Sequence, residues 1–351
     1  MKKLILLLML VVAGIKGASA QEAVAVLKSG DVTKTYAGFN ALKNAYTDAK
    51  DGDLITLSSG TFGAVATIEK SITIRGAGAY IDGTYKTQPT YISGNFTIAK
   101  NSVQIEGIHH PEGSIIWLKA NSPKFIKCYL WGIRIYTEVK DEKTYWYQVN
   151  NAYFLHCQIV SEANCPPIGS MSFINCQVYH PQTWSGNASA MTFRNCVVYM
   201  TYYNGTGTSE KQKAGLNNID GSHTHVYGST FINSVINCNT STYWYTNEYT
   251  TFTNCLFYPK IQEISGKYST SGCWSNADWD NIFVKDSWYV FTDTSKKTYL
   301  DEFGREIGIR GGTFPWSNRV AGPHIKSMEV APRSTADGKL RVKITVQNSS
   351  Y

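Results

Sequence analysis

The stretch MSFINCQVY at Met171–Tyr179 returns twenty residues later as MTFRNCVVY at Met191–Tyr199. Looser copies are FIKCYL at Phe125, FLHCQI at Phe154, FINSVI at Phe231 and FTNCLF at Phe252, with echoes at Phe96 and Phe283. From Phe125 the spacings are 29, 19, 20, 38 and 21 residues. The 38 reads as two turns of nineteen, and the 29 as one turn carrying a ten-residue loop. A sustained period near twenty residues marks a solenoid, in which each unit buries its apolar face only against its neighbours.

The interior of the phrase selects the kind of solenoid. In one continuous strand Phe173 and Asn175 would face one side, Cys176 and Val178 the other. Both apolar pairs need burial, so the alternation must slip by one residue between them. Asn175 stands at the slip, and asparagine tolerates the left-handed backbone conformation that a sharp bend requires. His156 suits the same position, since histidine is also enriched there; Lys127 suits it less well. Two short strands joined at a bend in every coil predict an all-β, right-handed parallel β-helix, with rows of Phe, Asn and Cys about 4.8 Å apart. A leucine-rich repeat has a similar period, but these segments contain few leucines.

At the N-terminus, Lys2 and Lys3, an apolar run to Ile15 and Ala18-Ser19-Ala20 resemble an export signal cleaved before Gln21. No later apolar run is long enough to span a bilayer. Export places the mature chain in the periplasm, at the cell surface or in the medium. Removal of Lys2, Lys3 and Lys16 lowers the formal charge from +7 to +4, too small a balance to argue for nucleic acid. Eight cysteines in an exported chain suggest disulfides, but five belong to the phrase and behave as small buried apolar residues. Cys165, Cys238 and Cys273 lie outside it and are the disulfide candidates. In AGFNALKNAYTDAK, Phe39, Leu42, Ala45 and Ala49 fall near one helical face, with Asp51-Gly52 as its end, so residues 21–322 read as a β-helix with a helical N-terminal cap. HIKSMEV and KLRVKITV flank Asp337-Gly338 and predict a β-hairpin over 323–351 that caps or extends the other end.

The corners, the opening KDGDLITLSSGTF and the closing GREIGIRGGTFPW resemble the pectate-lyase-like β-helix superfamily, including exported members from Bacteroidetes. The resemblance implies the fold and not an activity, since one β-helix carries many functions. It carries over no catalytic residue, because the adjacent aspartates and the Gly-His-Gly of polygalacturonase-type members are missing, as is the carboxylate cluster of the lyases.

Three kinds of candidate site remain. In NNIDGSHTHVYGS, Asp220, His223 and His225 could form a metal pair or an acid–base group, against the plain alternative of a polar turn. In NADWDNIF, Asp278 and Asp280 at alternate strand positions could bind calcium, the candidate cofactor, or act as paired carboxylates, against the plain alternative of an Asx-rich turn. Tyr145, Trp146, Tyr147, Tyr202, Tyr203, Tyr243, Trp244 and Tyr245 lie between corners, where loops emerge, and aromatic faces with polar tips suit sugar rings. Arg134 and Lys143 could meet a sugar carboxylate. The expectation is an exported protein that binds, and is open to cleaving, an acidic or neutral polysaccharide in a lateral aromatic-lined groove. The alternative is a non-catalytic scaffold or adhesin whose aromatics only pack loops. Neither reading specifies an oligomeric state.

Overall fold

The computed structural model describes residues 22–81, 88–165, 168–183, 188–199, 224–237, 244–246, 249–258, 264–276, 278–285, 287, 289–317, 322–330 and 342–349. Residues 1–21, where the sequence predicts an export signal, lie outside them. Two long sheets dominate, and the chain visits them alternately. The first runs from Leu54–Leu57 through Lys124–Ile126, Ile168–Ile174 and Ala188–Arg194 to Ser269–Ser271. The second runs from Gly60–Gly63 through Tyr129–Ile135 and Val197–Tyr199 to Trp274–Ser275. Within these runs every pairing is parallel, so the described residues form a β-helix-like stack of rungs.

The repeated phrase is the join between the two sheets. Its bend residue has positive φ in successive rungs: Lys127 (53°), His156 (53°), Asn175 (47°), Asn195 (53°), Asn233 (51°) and Asn254 (48°), with Gly107 (59°) and Gly272 (63°) continuing the row. The bend lets both sides of the phrase face the interior, and Phe173 and Cys176 are each 0% exposed in the same core. Phe125, Phe154, Phe173, Phe193, Phe231 and Phe252 stack face to face, with adjacent centroids 4.7 to 5.0 Å apart. The cysteine row is Cys128, Cys157, Cys176, Cys196, Cys255 and Cys273, with Ser234 taking one rung between.

Some details depart from expectation. Phe193 pairs directly with Phe231, so the spacing of 38 is a single rung with a long excursion, not two turns. The 29 does carry a ten-residue loop, the antiparallel hairpin Thr137–Lys140 and Lys143–Trp146. The N-terminal helix spans Ala41–Asp48 and buries Leu42 and Ala45, but Phe39 precedes it and is 53% exposed. A hairpin that the residue pattern did not announce, Val24–Ser29 with Val32–Ala37, pairs antiparallel with Leu54–Leu57 and covers that edge of the first sheet. The strands Gly322–Val330 and Val342–Ser349 do pair antiparallel; the Asp337-Gly338 turn lies outside the described residues.

Cys273 is not disulfide-bonded; it is the free last rung of the thiol row, its Sγ accepting from the Cys255 N–H at 3.4 Å. Cys165 and Cys238 lie outside the described thiols. Hydrogen bonding with Cys255 holds the half-buried Cys273 thiol down at about 7, whereas burial pushes Cys255 well up. Brief alkylation of the native protein at neutral pH should therefore label Cys273 alone among these six thiols, as read by peptide mapping. Equal labelling of Cys176 would contradict the packed interior.

A strap formed by the segment from Asn276 to Trp316 returns along the outside of the second sheet. Its Ile282, Phe283, Phe291, Ile307, Ile309 and Trp316 cover the outward Val197, Val235 and Leu256. It then follows the bend row backwards. Gly308 N–H donates to Asn233 O (2.8 Å), Asn175 Nδ2 donates to Ile309 O (2.9 Å) and Gly311 O (2.8 Å), and His156 Nε2 meets Phe314 O (2.8 Å). Gly312 has φ +75°, and a Cβ there would lie 2.0 Å from Asn195 Nδ2, so the approach requires glycine. Asn175→Ala loses two hydrogen bonds and acquires left-handed strain, and should cost about 3 kcal/mol in a denaturant titration. Asn175→Gly keeps the backbone and should be the milder change; equal costs would remove the strain contribution.

Candidate functional site

The residues on either side of each phenylalanine point away from the core, which makes the outer face of the first sheet a direct read-out of the phrase. On that face Gln104, Ser122, Lys124, Ile126, Asn151, Tyr153 and Leu155 line an open cleft of about 500 Å³. Gln104, Lys124 and Tyr153 occupy neighbouring register positions on three adjacent strands. Ile126 and Leu155 occupy the corresponding positions on the other side of the phenylalanine row, where they form an aliphatic strip. Ser122 (φ 57°) and Asn151 (φ 57°) mark the opposite corner of two rungs. That corner has its own side-chain ladder: Asn121 N–H donates to Asn101 Oδ1 and Asn150 N–H to Asn121 Oδ1, each at 2.8 Å. The cleft thus joins an ammonium, side-chain amides, a hydroxyl and one phenol to an apolar floor. Such a surface can hydrogen-bond hydroxyl groups and pack against C–H faces at once.

A charged corner adjoins the cleft. Gln104 Nε2 donates to Glu106 Oε1 (2.8 Å), and the other carboxylate oxygen pairs with Arg75. Glu106 is 1% exposed, and Lys127 and His156 beside it are each 2% exposed. Burial pulls the Lys127 ammonium below the ordinary lysine range, opposed by the Glu106 charge. Burial also takes His156 down to about 4, so it is a neutral ring whose Nε2 is held by the Phe314 carbonyl. The Glu106 charge thus favours the Lys127 cation, the Lys127 charge disfavours a His156 cation, and His156 is the member of this group that meets the strap.

The predicted site residues are scattered. Tyr145 (49% exposed) and Trp146 (38% exposed) lie on the ten-residue hairpin, and Tyr147 lies at its base. Tyr147 is a packing residue: its hydroxyl donates to Glu138 Oε1 (2.5 Å), and Lys119 Nζ sits 4.6 Å from its ring centroid and 4.9 Å from that of Tyr136. Hydrogen bonds from Tyr147 and then Lys140 bring the Glu138 carboxyl down to about 2. Arg134 lies over Trp117, 5.7 Å from the ring centroid, rather than in the cleft. Lys143 is exposed opposite Lys140.

Asp220, His223, Tyr202, Tyr203 and Tyr243 lie outside the described residues. His225 pairs in register with Tyr245, and Trp244 with Thr224, in a small parallel sheet. Asp278 and Asp280 are not on a strand. Asp278 precedes the helical turn Trp279–Ile282, of which Asp280 is part, and the Asp278 carboxylate accepts from Asn281. The local run folds as an Asx-rich turn, so the alternation on which a shared strand face depended does not arise. No group of three or more His, Cys, Asp or Glu among the described residues is arranged to hold a metal ion.

Lys124, Tyr153 and Gln104 did not stand out in the sequence, because the aromatic clusters between the copies carry the stronger local pattern. The usable signal was the residue just before each inward Phe, or before Ile105 in that row, which strand alternation turns outward. No family model, curated protein or solved structure matches this chain.

Proposed function

We propose that this chain is an exported, right-handed β-helix protein of the pectate-lyase-like kind that binds a polysaccharide on the outer face of its first sheet. The observation that carries this reading is the cleft itself: about 500 Å³, with Lys124, Tyr153, Gln104 and Asn151 around the aliphatic Ile126 and Leu155. A sugar offers alternating hydroxyl and C–H surface, and the lining supplies a partner for each. The sole carboxylate described at this corner, Glu106, is already engaged by Arg75 and Gln104, which favours binding over acid–base cleavage. The helical N-terminal cap and the C-terminal hairpin close or extend the stack in this reading.

The test is titration of the purified mature chain against a panel of neutral and acidic polysaccharides, with assays for new reducing or unsaturated ends. Tyr153→Ala and Lys124→Ala should each weaken binding at least ten-fold while leaving the melting temperature within a degree or two, as expected for partly exposed side chains. Loss of binding in neither variant would remove the cleft from the reading. Failure of every polysaccharide to bind the parent would leave the scaffold alternative, which the packed Tyr136–Lys119–Tyr147 cluster also suits.

A further inference from the structure

Resting on the cleft reading, we infer that the ligand is a long, uncharged or sparsely charged glycan lying along the stack axis, and that a hydroxyl track beyond the cleft forms its remaining subsites. The register extends the row that contains Gln104, Lys124 and Tyr153. Tyr153 pairs with Ser172, Ser172 with Thr192, Thr192 with Thr230, Thr230 with Thr251, and Thr251 with Ser269. Five successive rungs beyond the cleft therefore present Ser or Thr at one position, all at least partly open to solvent.

Two neighbours in the row are close enough to address one ligand together, with Thr251 Oγ1 donating to Thr230 Oγ1 at 3.4 Å. On the other side of the phenylalanine row, Ile174 and Ile232 continue the aliphatic strip of Ile126 and Leu155, with Arg194 between them. From Gln104 to Ser269 the row crosses eight strands, which at the strand spacing of a sheet is about 34 Å. Strand propensity favours Thr on an open face, but it does not require hydroxyls in the same row on every rung past the cleft.

The charge along this track limits the ligand. On the strands from Gln104 to Ser269, Lys124 and Arg194 are the exposed cations among the described residues, and Arg75 on the strand before them is paired with Glu106. A polyanion carrying a charge on every sugar would meet far fewer cations than it has charges along that length. Hydroxyl-to-hydroxyl bonding and aliphatic contact suit a neutral chain, and such binding changes little with salt.

The experiment is a chain-length series, from disaccharide to decasaccharide, of whichever glycan binds the parent, measured by calorimetry at low and high salt. Affinity should rise with length until the track is filled and should change less than about two-fold with salt. Thr192→Val and Thr230→Val keep the branched shape and remove one hydroxyl each. Each should weaken the longest oligosaccharide about five-fold and leave the disaccharide unchanged. Tyr153→Ala, by contrast, should weaken every length. Equal affinity for all lengths, or no effect of either Val variant on the longest, overturns the track while leaving the cleft intact. A steep loss of affinity with salt overturns the neutral ligand. No binding by the parent at any length overturns the cleft reading and the track with it.

Discussion

Replacing Phe173 with alanine is expected to lower the free energy of unfolding by about 4 kcal/mol, read as a fall in the denaturant midpoint. The ring is 0% exposed and lies between Phe154 at 4.7 Å and Phe193 at 4.9 Å, nearly parallel to both. Its removal opens a cavity and breaks two stacking contacts, each worth about 0.5–1.5 kcal/mol beyond burial. Neighbours cannot collapse into the gap, because parallel hydrogen bonds on both sides hold the rungs at their spacing. Thr192→Ala, on the outer face of the adjacent rung, is the control and should cost at most about 0.5 kcal/mol. Comparable costs for the two substitutions would mean that the phrase does not separate an inner from an outer face.

The second large effect is a loss of stability on mild acidification. His110 and His156 are both brought down to about 4, by burial first, against 6.5 for an ordinary histidine. His110 lies edge-on to Phe96 with Nε2 against Gly94 O at 3.0 Å, and His156 is further disfavoured as a cation by Lys127. Between pH 6.5 and about 4 the unfolded chain binds protons at these rings that the folded chain does not, so stability rises with pH across that window. Descending from neutrality to about 4, each histidine should withdraw roughly 3 kcal/mol. Denaturant titrations across this range should show the slope in the parent, and His110→Gln with His156→Gln should flatten it above pH 5, before carboxylates contribute. An unchanged slope in the double variant would dissociate acid lability from these two rings.

The fate of individual residues shows why some features were legible in the chain and others were not. Asn175 could be read as a left-handed bend because the need to bury both Phe173 and Cys176 is local, spanning four residues. Lys127 at the same bend was the poor fit, and there the structure buries it within the electrostatic reach of the Glu106 carboxylate and the neutral His156 ring. The strap was not legible. Its contacts join Asn175 to Ile309 and Gly311, and His156 to Phe314, far apart in sequence and made largely through backbone carbonyls that carry no residue signature. Tyr147 looked like a ligand-stacking ring, but the choice between stacking a sugar and stacking Lys119 depends on what the neighbouring rung presents.

By itself the sequence determined the rung: the period, the bend, the inward Phe and Cys rows and hence the alternation between two parallel sheets. These follow from short-range sterics and from which side chains must leave water, both written into consecutive residues. Only the tertiary structure decided which rungs are neighbours, so that the interval of 38 residues became one step and Lys124, Gln104 and Tyr153 came together on the outer face. Register between rungs depends on the length and path of every intervening loop, a property of the whole chain that no single repeat contains.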